Sequence, residues 1–129
     1  MEKIVSLSPT IARVAMGLFY WVMAAGLVKD FKLVTGLMAS KGVPFQAPLL
    51  MGAILIWILG GAAVLLNWNT TYASLCLFVL TLAITPIIHN FWSAPPEMFA
   101  NELQHFFKNM AILAGLLAIA ALSARAPQR

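Results

Sequence analysis

An all-α integral membrane protein, a four-helix bundle with a short interfacial helix after the first span, is the fold class the sequence predicts. Three observations carry that expectation. Of 129 residues, 62% are hydrophobic and only 9% charged, whereas soluble domains sit nearer half apolar and a quarter charged. The apolar residues fall into four runs, each close to the ~20 residues needed to cross hydrocarbon. The runs also lack the short alternating segments of a membrane β-barrel. A soluble domain of this size has too little interior to hide so much apolar surface, and the length suffices for one bundle and no second domain.

The first span is expected over about residues 9–28. Lys3 and Arg13 ahead of an apolar stretch ending near Ala24 and Ala25 mimic a signal peptide. The cleavage context is poor, so the segment reads as a retained transmembrane helix. The connection over residues 29–46 is partly amphipathic: Phe31, Val34 and Met38 share one helical face while Lys32 and Ser40 lie elsewhere. That pattern predicts a short interfacial helix, ended by the turn Gly42-Val43-Pro44.

The second span is expected over 47–66 and the third over 70–88, joined by the tight hairpin Asn67-Trp68-Asn69 with an interfacial tryptophan. Asn69-Thr70-Thr71 matches a glycosylation sequon but is pressed against the membrane, so it is discounted. After the third span comes His89-Asn90-Phe91-Trp92-Ser93-Ala94-Pro95-Pro96-Glu97. Ser93 can cap a new helix, and prolines suit its first turn. This helix is expected to start near Pro96 and run unbroken into the fourth span, about 106–122. Gly17, Gly26, Gly52, Gly60, Gly61 and Gly115 lie within the spans, where small residues let helices approach closely.

The net charge of +4 comes from eight basic residues spread along the chain. This is no nucleic-acid patch; the partners it suits are anionic lipids. Cys76, the sole cysteine, has no partner for an intrachain disulfide and reads as a small buried or lipid-facing side chain. Four spans put both termini and the hairpin on one side with Lys3, Arg13, Arg125 and Arg129, against Lys29, Lys32, Lys41 and Lys108 on the other. The basic count is therefore even; Arg125 and Arg129, flanking the last span without acidic neighbours, favour cytoplasmic termini.

Ionisable residues in or beside spans are costly, which makes them the functional candidates. Arg13 lies about one turn inside the first span. It either snorkels to the headgroups or meets an anionic lipid or a second subunit, because no Asp or Glu occurs in any span. At the opposite end, Thr81, Thr85 and His89 are spaced i, i+4, i+8 on one helical face, and Glu102, His105 and Asn109 are spaced i, i+3, i+7 on another. Pro86 frees a carbonyl and is expected to kink the third helix just before His89. Lys29 and Lys108 fall on the same side.

Three readings of this group stand open. It is a hydrogen-bonded cap fixing helix ends, or a site for a quinone or other polar-headed lipophile with Trp92, Phe106 and Phe107 on the ring. Alternatively, His89 and His105 ligate a metal or haem, for which two histidines without Cys-x-x-Cys-His are a thin set. No Ser-His-Asp arrangement, phosphate-binding glycine loop or HExxH occurs.

At these residues the chain resembles the DoxX family of small bacterial membrane proteins. The pieces that carry the resemblance are Arg13-x-x-x-Gly17, Gly26-x-x-Lys29, Lys41-Gly42-Val43-Pro44, Gly60-Gly61, His89-Asn90-Phe91-Trp92, Phe107-Lys108-Asn109 and Leu113-Ala114-Gly115-Leu116-Leu117. Relatives often carry a glutamate before the paired glycines, at about Ile56 or Trp57; here no acid stands there, removing one charge partner for Arg13. The resemblance implies a four-helix protein of the bacterial inner membrane, associated with membrane redox assemblies.

The expected function is a non-catalytic accessory subunit packing against larger membrane proteins, with no metal and no cofactor of its own. The alternative is a quinone-linked oxidoreductase subunit with its site among Lys29, Thr85, His89, Asn90, Trp92, Glu102, His105, Lys108 and Asn109. A transporter is disfavoured, since no paired ionisable residues lie at mid-membrane.

Overall fold

The computed structural model describes residues 1–126; the expectation placed on Arg129 lies outside them. Among the described residues five helices follow in order: α1 (Glu2–Lys29), α2 (Phe31–Ser40), α3 (Gln46–Leu65), α4 (Thr70–Ile88) and α5 (Pro96–Arg125), with a 3-10 turn at Phe91–Ser93 before α5. Four of them are long and apolar enough to cross a membrane. No strand occurs among the described residues. The protein is an all-α, multi-pass membrane bundle.

Two helices outrun the bilayer. At 1.5 Å per residue α1 is ~42 Å long and α5 ~45 Å, against ~30 Å of hydrocarbon. α1 starts well ahead of the apolar run and passes through Pro9. Pro9 has no N–H to give the Val5 carbonyl, and Ser8 Oγ takes that place at 2.8 Å. α5 begins at Pro96 behind Pro95 and has no side-chain cap. Ser93, expected as the cap, instead closes the 3-10 turn by giving its N–H to the Asn90 carbonyl. The preceding prolines set the backbone for the helix start, so no hydroxyl cap is required.

The connections follow local chemistry. α2 ends in a Schellman arrangement: the Val43 N–H reaches the Met38 carbonyl and the Gly42 N–H the Ala39 carbonyl, with Gly42 at φ 74°. The α3–α4 hairpin uses left-handed backbone at Asn67 and Asn69, a conformation asparagine tolerates. The exposed Trp68 stands between them. α4 runs through Pro86 to Ile88.

α1 packs on α3, α3 on α4, α4 on α5, and α5 back on α1, so the four long helices close a ring in chain order. Between helices in lipid, fit and hydrogen bonds replace the hydrophobic drive. The tightest fit is the α1–α3 crossing. A Cβ on Gly17 would lie 2.7 Å from the Gly61 carbonyl oxygen, and one on Gly61 would lie 3.1 Å from the Gly17 carbonyl. Gly60 receives Leu77, and Gly115 receives the tip of Met16. Gly26 and Gly52, expected to act in the same way, have open space where a side chain would go. Tyr20, Val64, Leu77, Leu116 and Ile119 form the core beside the crossing. A second cluster, Ala24, Leu50 and Ile54, receives Phe31, Val34 and Met38 from α2, the face expected to be apolar. Cys76 is exposed on the outer surface, which faces lipid.

Candidate functional site

α4 and α5 lie antiparallel, and their polar faces meet as a ladder. Thr85 Oγ1 gives its hydrogen to the Thr81 carbonyl at 2.6 Å, so it can only accept from Asn109 Nδ2 at 3.0 Å. That fixes the amide: Nδ2 faces Thr85, and Oδ1 remains as an acceptor. One turn deeper, the Tyr20 hydroxyl of α1 pairs with Thr81 Oγ1 at 2.7 Å; Tyr20, Thr81 and Thr85 are all buried. One turn further out, His89 Nδ1 lies 2.9 Å from Glu102 Oε2. A carboxylate only accepts, so this nitrogen carries the proton. Lys108 Nζ lies 2.9 Å from His105 Nδ1; an ammonium only donates, so here the ring nitrogen accepts. The two imidazoles stack at 5.0 Å with planes 15° apart.

The ladder forms one wall of a cavity of about 410 Å³. Tyr20, Thr81, Thr85, His89, His105, Lys108 and Asn109 line its polar side. Phe19, Met23 and Leu27 from α1, Leu50, Ala53 and Trp57 from α3, and Val34, Leu37 and Met38 from α2 supply the apolar side. From Thr81 to His89 the polar wall spans ~12 Å of helix rise. The Trp57 Nε1–H is buried with no acceptor among the described residues. α2 thus covers a cavity, and a latch ties its end to the opposite side: Lys41 Nζ bonds Asn90 Oδ1 in the α4–α5 connection.

The other candidate residues fall elsewhere. Asn90 serves the Lys41 latch and does not line the cavity. Trp92 is exposed and, with Phe106 and Phe107, packs around Phe91. These rings, expected to pack on a ligand, form a separate aromatic patch; Phe19, Tyr20 and Trp57 are the rings at the cavity. Lys29 is exposed at the end of α1 and does not reach the histidines. No three His, Cys, Asp or Glu side chains among the described residues are grouped to hold a metal ion.

Arg13 is at the far end of the bundle. Its Nη1 is buried without a partner among the described residues, and its Nη2 reaches only Thr10 Oγ1 at 3.5 Å. Trp57 packs edge-on against Tyr20, ring centroids 5.6 Å apart. It therefore stands on the cavity side of the Gly17–Gly61 crossing, whereas Arg13 precedes Gly17 by a turn. An acid at position 57 would face the cavity rather than Arg13.

The comparison with known families decides membership: the DoxX family model matches residues 8–90. The chain belongs to the DoxX family. No curated protein and no solved structure matches it. The match runs from α1 through His89 and Asn90, so the α5 half of this DoxX cavity, with Glu102, His105, Lys108 and Asn109, lies beyond it. In this DoxX protein the sequence pointed to the α4 and α5 rungs through their spacing. Tyr20, Trp57 and Lys41 were not among the candidate site residues; a lone tyrosine and a tryptophan inside apolar runs were the available signal, and for Lys41 it was the Lys41-Gly42-Val43-Pro44 piece.

Proposed function

We propose that this protein is a non-catalytic subunit of a larger redox assembly in the bacterial inner membrane, and that it holds a quinone-type ring lipophile for that assembly. The cavity carries this reading. Its ~410 Å³ volume falls in the range of small-molecule sites, which are mostly apolar with a few convergent polar groups. His105 and Lys108 can donate hydrogen bonds to ring oxygens at one end and His89 and Asn109 can accept from ring hydroxyls, while Phe19, Trp57 and the aliphatic side chains of α1, α2 and α3 suit a ring and its tail. In this reading a partner subunit carries out the electron transfer. Cytoplasmic termini are part of the proposal, on the strength of Arg125 at the end of α5.

Two experiments test it. A short-chain quinone titrated into the purified chain should quench tryptophan fluorescence, and His105→Ala/Lys108→Ala should abolish the response while helicity and melting are retained. Equal binding by the double variant would remove the cavity from the account. Gentle-detergent purification from the native membrane, followed by mass spectrometry and an absorption spectrum, should yield larger subunits, with no haem or flavin band on this chain. A stable, solitary monomer would contradict the assembly.

A further inference from the structure

We infer that the cavity takes its ring ligand in the hydroxyl form, a quinol or related phenol, in preference to the quinone. The inference rests on the reading of the cavity as a ring-lipophile site and concerns which redox form fits. His89 gives its Nδ1 hydrogen to Glu102, so as a neutral imidazole it keeps a lone pair on Nε2. His105 accepts from Lys108 at Nδ1, so its own hydrogen is on Nε2. Both rings line the cavity, and no hydrogen bond occupies either Nε2 among the described residues. The stacked pair, with centroids 5.0 Å apart, therefore offers one acceptor and one donor on two cavity-lining residues. Asn109, its amide oriented by Thr85, adds a second acceptor, Oδ1, in the same cavity.

A quinone carbonyl only accepts. It would satisfy His105 Nε2–H or Lys108 and bring no hydrogen to His89 Nε2 or Asn109 Oδ1. A ring hydroxyl accepts from His105 and donates to His89 or Asn109 at once. Leaving one such acceptor unpaired beneath a bound ring weakens binding by up to about tenfold at this partly buried end. Glu102 is then a positioning residue: it never meets the ligand, and it fixes which face of His89 accepts.

The test is an anaerobic titration of the full chain in nanodiscs with duroquinol and duroquinone. The quinol is expected to bind tighter, by up to about tenfold. In Glu102→Gln the amide can donate to His89 Nδ1 and move the ring hydrogen to Nε2, so the ratio should fall towards one or reverse; Glu102→Asp should keep it. A merely structural role for Glu102 would weaken both ligands alike and leave the ratio unchanged. ¹⁵N-histidine spectra should show His89 protonated at Nδ1 and His105 at Nε2, and the opposite pattern overturns the inference. Equal affinity for the two forms also overturns it while leaving the ring-lipophile reading standing. Binding of neither form ends both.

Discussion

The two halves of the bundle solve the same packing problem in opposite ways. Around Gly17 and Gly61 the α1 and α3 backbones come so close that a single added methyl would meet a carbonyl oxygen at 2.7 Å. Past Tyr20 the same two helices meet at Ala24, Leu50 and Ile54, α2 packs onto that cluster, and about 410 Å³ is left open beside it. Membrane helices have little reason to leave a void, because lipid offers no hydrophobic penalty that a loose fit could relieve and each lost contact is a lost dispersion term. A tight glycine-packed half that anchors a cavity with a polar wall is the division of labour expected of a binding protein. The rigid crossing fixes where Tyr20 and Trp57 stand, and they form the floor on which the ladder rests.

The largest way to break this contrast is Gly17→Val. The added side chain meets backbone that cannot rotate aside, and overpacking of this kind costs about 1–3 kcal/mol. The melting temperature in detergent should fall clearly. Gly26→Val, in the looser half with open space around it, should change stability by no more than about 0.5 kcal/mol. If the two variants melt alike, the halves do not differ as described.

A next, smaller effect is Thr81→Val. It leaves the buried Tyr20 hydroxyl without a partner and should cost about 1–2 kcal/mol. Tyr20→Phe in the same background removes the orphan and should recover most of that loss. A double variant as unstable as the sum of the singles would mean that the two residues do not act as a pair.

What the sequence made legible follows from period and composition. Helical spacing alone placed Thr81, Thr85 and His89 on one face and Glu102, His105 and Asn109 on another, and these are the faces that meet. The amphipathic pattern of Phe31, Val34 and Met38 placed the face by which α2 docks. Spacing within one helix says nothing of distance across the bundle, which is why Gly26 and Gly52 could not be told from Gly17 and Gly61. For the same reason Trp92, Phe106 and Phe107 looked like ligand-facing rings, although the 3-10 turn gathers them around Phe91. The Lys41–Asn90 latch joins residues 49 positions apart, and no local pattern announces it.

That latch supplies the smallest expected effect. Lys41→Met removes one partly exposed hydrogen bond, worth about 0.5–1 kcal/mol. Global melting should barely move, while hydrogen exchange in α2 should quicken relative to α3. Unchanged exchange would show that packing against Ala24, Leu50 and Ile54 holds α2 without the latch.

The central claim, that the open half is a binding site, is tested most directly by filling it. Ala53 is buried and lines the cavity from α3. Ala53→Phe should occupy the space a ring ligand needs while the Gly17–Gly61 half keeps the fold, and Val34→Phe should do the same from α2. Titration of the parent and both variants with duroquinol should show binding by the parent and none by the filled chains, with melting within a few degrees of the parent's. Undiminished binding by well-folded Ala53→Phe and Val34→Phe would contradict the account, because the ligand would then sit somewhere other than the cavity.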